Sequence, residues 1–155
     1  MTTENDRIKG VLLGQAAGDA LGSQYEFGQP SGGHAVMGRG TFGHAPGEYT
    51  DDTQQAVCVA RGRSQPEAVA RNLLAWYESG PKDVGNQTRS VLSRASNATT
   101  MAAAAREYAE KSAAITRPGW DPGSGNGSLM RTGPACLPYL GDHVAVVRRR
   151  GRSAR

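Results

Sequence analysis

The chain is poor in the residues that mark disulfide, zinc or membrane proteins. It has two cysteines, Cys58 and Cys136, far apart in separate apolar runs. That excludes a disulfide framework and reads as two buried free thiols. His34 and His44 lack ligand-like spacing and read as solvated loop residues rather than zinc ligands. No run of about 18 apolar residues occurs, which excludes a membrane-spanning helix. The opening Met1-Thr2-Thr3-Glu4-Asn5-Asp6 is polar and acidic and does not resemble a secretory signal, so a cytoplasmic location is expected. No stretch alternates apolar and polar residues at strand period, and no segment repeats. What remains is an all-α fold, one domain of 155 residues with a modest core.

The excess of positive charge is confined to one segment. The formal net charge is +4, but Arg148, Arg149, Arg150, Arg152 and Arg155 crowd the last residues. A basic tail can grip nucleic acid. No aromatic or basic patch elsewhere extends it into a binding face, so residues 143–155 read as a basic, disordered tail and nucleic acid is not an expected partner. Residues 1–142 form the domain proper.

Glycine, in contrast, is abundant. Asp6 to about Leu21 reads as a helix capped by Asn5 or Asp6, with Gly10, Gly14, Gly18 and Gly22 on one stripe. Four helix-weakening residues in a row suggest that another backbone approaches that stripe closely. Residues 28–49 form a long Gly- and Pro-rich loop, a type that is usually functional or mobile. Thr50 reads as the N-cap of a helix running to about Arg61. Ser64-Gln65-Pro66-Glu67 reads as a capping box opening a helix that stops at Gly80-Pro81. A turn over 82–86 leads to a short helix through Leu92, and Thr100 to about Ala113 is an Ala-rich helix. Leu129 to Leu140 carries Pro134 and Pro138 and reads as a broken helix.

The chemistry is concentrated in acids and glycines. Thr50-Asp51-Asp52-Thr53 places two adjacent carboxylates in the first turn of a helix. Capping and the helix dipole explain one acid there. Two, each beside a threonine, suggest a cation, and oxygen donors without His or Cys suit magnesium, calcium or manganese rather than zinc. Gly123-Ser124-Gly125-Asn126-Gly127-Ser128 can bring backbone N–H groups against phosphate. It lacks the lysine of a P-loop, and a flexible linker has the same composition. Asp83, in Lys82-Asp83-Val84-Gly85-Asn86, reads alone as a turn-forming residue.

Taken together these segments resemble the ADP-ribosylglycohydrolase family. The carriers are Arg7-Ile8, Gly10, Gly14, Gly18-Asp19-Ala20-Leu21-Gly22 with Glu26, then Thr50-Asp51-Asp52-Thr53, then Asp83 with Gly85-Asn86, then Gly125-Asn126-Gly127-Ser128-Leu129-Met130-Arg131. They span about residues 6–142. The resemblance implies an all-α orthogonal helical bundle with two magnesium ions in a cleft, manganese being an alternative. It implies that Thr50, Asp51 and Asp52 bind metal, that Glu26 holds or deprotonates water, and that Asp83 contacts substrate near the scissile bond. It implies that Gly125, Asn126, Gly127 and Ser128 embrace ADP-ribose. The implied reaction is hydrolysis of the bond between ADP-ribose and a modified protein side chain or a related small ADP-ribosyl substrate.

One family feature is missing. A late Asp-x-Asp-Thr segment, which would supply further metal ligands, does not occur in the sequence. The expectation is an N-terminal half whose partner could be a missing C-terminal half, inactive alone. The alternative is a non-catalytic ADP-ribose or nucleotide-binding module.

Overall fold

The computed structural model describes residues 3–29, 32–63, 65–115 and 126–142. The described residues are helical and turn-linked, with no strand among them. The elements are α1 (Glu4–Gly22), α2 (Asp51–Gly62), α3 (Pro66–Glu78), α4 (Asn86–Leu92), α5 (Ala98–Ala113) and α6 (Leu129–Cys136), followed by a 3-10 turn, Leu137–Tyr139. None is long and apolar enough to cross a membrane. The basic tail lies outside the described residues.

Local chemistry sets the boundaries. α1 starts earlier than the sequence suggests, because Thr3 and Asp6 form a reciprocal capping box ahead of Asn5. Asn97 and Thr100 do the same for α5, two residues before the expected start. Ser64 lies outside the described residues; Gln65 occupies the N-cap of α3 without a side-chain cap bond, and Pro66 opens the helix. The expected broken helix is α6, with Pro134 inside it, giving way to the 3-10 turn.

α2 is the central element and packs against α1, α3 and α6. The core joins Cys58, Leu73, Trp76, Val84 and Leu92, with Val69, Leu74, Tyr77 and Met101 packed on it. Both cysteines are free. Burial pushes the Cys58 thiol pKa up, as expected of a thiol in the core.

Among the described residues the glycine stripe does not serve close packing. A Cβ added at Gly10, Gly14, Gly18 or Gly22 meets nothing within 4 Å among the described residues. The stripe faces open space, and its C-terminal half borders a cleft. Close approach occurs instead at Gly62, where an added Cβ would lie 2.4 Å from Val69 Cγ2 and 2.8 Å from the Val69 backbone nitrogen. Arg63 then turns the chain in the left-handed region, φ 46°, into α3.

Gly62→Ala is therefore expected to force α2 and α3 apart and to cost about 1–3 kcal/mol of stability. A urea titration followed by far-UV circular dichroism checks this, and an unchanged midpoint contradicts it.

Candidate functional site

An acid at the C-terminal end of a helix opposes the local dipole. Asp19 occupies such a place in α1, and its surroundings explain why. The Thr50 hydroxyl donates to Asp19 Oδ1 at 2.6 Å. The Thr50 N–H, the Thr53 N–H and the Thr53 hydroxyl donate to Oδ2 at 2.9, 3.0 and 2.6 Å. Asp19 thus caps α2 from another helix. Thr50 stands at the N-cap position as the sequence suggests, but its side chain makes no cap bond of its own.

This cap presents the first turn of α2 to the cleft. Asp51 is buried, and its Oδ2 accepts from Gln55 Nε2 at 3.0 Å. Gln55 Oε1 in turn accepts from Arg131 Nη1 at 2.7 Å. Gln15 Nε2 donates to the Asp52 carbonyl at 3.1 Å and to the Met130 carbonyl at 2.9 Å. The Met130 carbonyl is available because Pro134, four residues on, has no N–H to donate to it. The proline that breaks α6 thereby gives α1 an attachment point beside Arg131.

The loop before α2 is tied down. The Thr41 N–H and hydroxyl both donate to the Ser23 carbonyl. Glu48 accepts from the Ala45 N–H at 2.7 Å and pairs with Lys82 at 2.6 Å, which fastens the loop to the turn carrying Asp83. His34 is exposed as expected. His44 is not solvated: it is 1% exposed, with an unpartnered Nδ1.

The cleft has a volume of about 500 Å³. Gln15, Gly18, Asp19, Glu26, Asp52 and Asn126 are among its lining residues, so three of the sequence-predicted residues meet there. Asp51 is buried and not part of the cleft lining, and Asp83 is within electrostatic reach of Asp51, Asp52 and Glu26. Gly127 and Ser128 are half-buried at the start of α6, outside the cleft lining, and Gly125 lies outside the described residues.

The acids load one another. Burial, then Asp83, Asp52, Glu26 and Asp19, pushes the Asp51 pKa up to about 7. Burial and the neighbouring acids Asp19 and Asp83 also raise the Asp52 pKa, with Arg131 pulling the other way. Glu26 is raised by burial, then by Asp83, Asp52 and Asp19. Burial raises Asp83, while a backbone hydrogen bond from Val84 and the nearby His44 and Arg89 pull it down.

This is negative charge short of compensation, made of hard oxygen donors, and it fits a magnesium-type cation. Thr50, Asp51 and Asp52 are the candidate holders. Thr50 gives its proton to Asp19 and keeps lone pairs to offer. Among the described residues, no three side chains of His, Cys, Asp or Glu converge as a ready chelate. The residues that sequence reasoning left without a role are Asp19, Gln15, Gln55 and Arg131. The signals were an acid at the wrong helix end for Asp19 and the four-residue step from Asp51 for Gln55.

The chain matches the family model described as ADP-ribosylglycohydrolase over residues 1–155. It is 33% identical over 147 residues to an ADP-ribosylarginine hydrolase of Pseudomonas putida (strain GB-1), covering 85% of this chain and 36% of that protein. It is 34% identical over 149 residues to the ADP-ribosyl-(dinitrogen reductase) glycohydrolase of Rhodospirillum rubrum, covering 88% of this chain and 46% of that protein. A solved structure titled as an ADP-ribosylglycohydrolase-related protein complex superimposes with a TM-score of 0.59 at 32% identity, covering 97% of this chain and 49% of that one. The chain thus spans less than half the length of these two relatives and about half of the solved chain.

A carboxyl group whose pKa is raised on folding contributes stability below its unfolded pKa and loses it as pH rises through the folded value. In EDTA the melting temperature should therefore rise as pH falls from about 8 to about 6, through the Asp51 transition near 7. Asp51→Asn should flatten that slope. Thermal melts across the range check this, and a melting temperature that falls with acidification contradicts it.

Proposed function

The chain belongs to the ADP-ribosylglycohydrolase family, and from that membership together with the acid-lined cleft we propose that it forms part of a site hydrolysing the glycosidic bond of ADP-ribose on a modified protein. The observation that carries this is the delivery of Asp52, Glu26 and Asn126 to one cleft, with Asp51 and Asp83 electrostatically coupled to its acids. The relatives' names point to ADP-ribosylarginine and to ADP-ribosylated dinitrogenase reductase as the substrate class.

In this reading Thr50, Asp51 and Asp52 would hold magnesium, with manganese also suited to the oxygen donors. When bound, the ions of the complete two-metal site supply positive charge that orients ribose hydroxyls and water and stabilises charge developing at the anomeric carbon. Glu26 faces the cleft with a raised proton affinity, which suits a carboxylate that holds water and takes its proton. Asp83 would contact the substrate beside the scissile bond. Asn126, Gly127 and Ser128, with Gly125, would lie along the ADP-ribose, where small residues allow close backbone approach.

The five acids near the cleft form one side of such a site. A further segment carrying carboxylates, such as the Asp-x-Asp-Thr that the family resemblance implies, would complete the coordination. On its own the 155-residue chain is expected to bind ADP-ribose in a magnesium-dependent way and to hydrolyse little. Calorimetry with ADP-ribose, with and without magnesium, tests this. Asp51→Asn should weaken the magnesium-dependent binding roughly tenfold or more. Tight binding indifferent to magnesium would favour a non-catalytic nucleotide-binding module. Rapid release of ADP-ribose from ADP-ribosylarginine by the chain alone would contradict the need for a second segment.

A further inference from the structure

Gln55 is 0% exposed and bridges two charged groups that do not touch. On one side its amide nitrogen donates to Asp51 Oδ2; on the other its amide oxygen accepts from Arg131. An arginine guanidinium can only donate, so the amide oxygen must face Arg131. The NH2 end must then face Asp51. The polarity of the amide is thus set by chemistry and not by a choice between two indistinguishable ends.

The consequence falls on Asp51. Its Oδ2 is occupied by the Gln55 donor, and Oδ1 accepts no side-chain hydrogen bond among the described residues. The amide also stands between the carboxylate and the guanidinium. No ion pair joins Arg131 to Asp51 or Asp52 within 4.0 Å among the described residues, although both acids feel its charge. A guanidinium free to close on Asp51 would take both carboxylate oxygens in a fork.

We infer that Gln55, oriented by Arg131, is a positioning residue for Asp51: it fixes one carboxylate oxygen, leaves the other for a cation, and keeps Arg131 from pairing with the acid. The inference rests on Asp51 being a cation ligand. Gln55 is the informative position because it is uncharged, so replacing it leaves the local charge balance unchanged. Arg131 is less informative, because its removal would also strip a positive charge from the cluster.

The test uses the full chain and Mn2+, with bound metal counted from the loss of the free-ion electron paramagnetic resonance signal. Gln55→Met has similar length and shape but cannot donate. It is expected to lower Mn2+ affinity by about 10–100-fold, the range for outer-shell partners of metal ligands. Far-UV circular dichroism in EDTA should show helix content equal to that of the parent chain. Wild-type affinity in a folded Gln55→Met protein would overturn the inference while leaving the metal site standing. Absence of Mn2+ binding in the parent chain would overturn the metal reading itself, and the inference with it. Should Gln55→Met not fold, the parent chain still decides. On magnesium addition the Gln55 side-chain amide peaks in a 15N–1H spectrum should shift, and in Asp51→Asn they should stay still. Peaks that do not move in the parent chain while magnesium binds would overturn the inference.

Discussion

The Asp19 carboxylate is the joint on which the rest of the cleft depends. Four donors from two threonines converge on its two oxygens, at 2.6 to 3.0 Å. Hydrogen bonds to an ionised acceptor are stronger than neutral ones, and these fix the start of α2 against the end of α1. They also settle an ambiguity in the acid pair. Capping could have accounted for one of Asp51 and Asp52, since first-turn acids satisfy the helix dipole. Here the Thr50 and Thr53 N–H groups are served from outside by Asp19. Neither Asp51 nor Asp52 is needed as a cap, which leaves Asp51 Oδ1 and the Asp52 carboxylate for other chemistry.

That freedom has an electrostatic cost inside the fold. Asp19, Glu26, Asp51, Asp52 and Asp83 act on one another, and Arg131 is the cation acting directly on Asp51 and Asp52. Hydrogen bonds stabilise Asp19 fully and Asp51 in part. The raised pKa values of Glu26, Asp51, Asp52 and Asp83 express what is left over. A fold selected for stability alone would have little reason to gather them, because each unpaired carboxylate disfavours its own charged form. A bound dication turns the same arrangement from repulsive to attractive.

Much of this was legible in the sequence, and the parts that were not have specific causes. The helices announced themselves through caps, breakers and propensity, and the errors in their starts came from capping boxes at Thr3 and Asn97 that lie just ahead of more obvious signals. Glu26, Asp52 and Asn126 were named as site residues, and they do line one cleft. The glycine stripe misled because loss of a side chain serves two opposite ends: close packing, or open space beside a ligand cleft. Sequence periodicity cannot tell these apart, and the tight approach to a neighbouring helix's backbone lies at Gly62, outside the stripe. His44 was misread for a related reason. A Gly-rich loop looks solvated by composition, but Thr41, Glu48 and Lys82 tie this one down, and the ring is buried. Gln15 and Arg131 have partners distant in sequence, and for Gln55 only the four-residue step from Asp51 is local, its bond to Arg131 spanning 76 residues.

Gln15 shows how such a residue governs geometry with little energy. Its side-chain nitrogen holds the Asp52 carbonyl of α2 and the Met130 carbonyl of α6 at once. Each bond is worth about 1 kcal/mol net, too little to decide folding. The two together tie α6 and α2 to α1 in this register, through the carbonyl left free by Pro134. That placement sets Arg131, one residue on, against Gln55, and Asn126, four residues back, at the cleft mouth. The same proline that weakens α6 as a helix therefore specifies where α6 sits. Replacing it by a residue with an N–H would satisfy the Met130 carbonyl within α6, strengthening the helix while loosening its tie to α1. Helix strength and site geometry are in opposition at this position, and the sequence here favours the site.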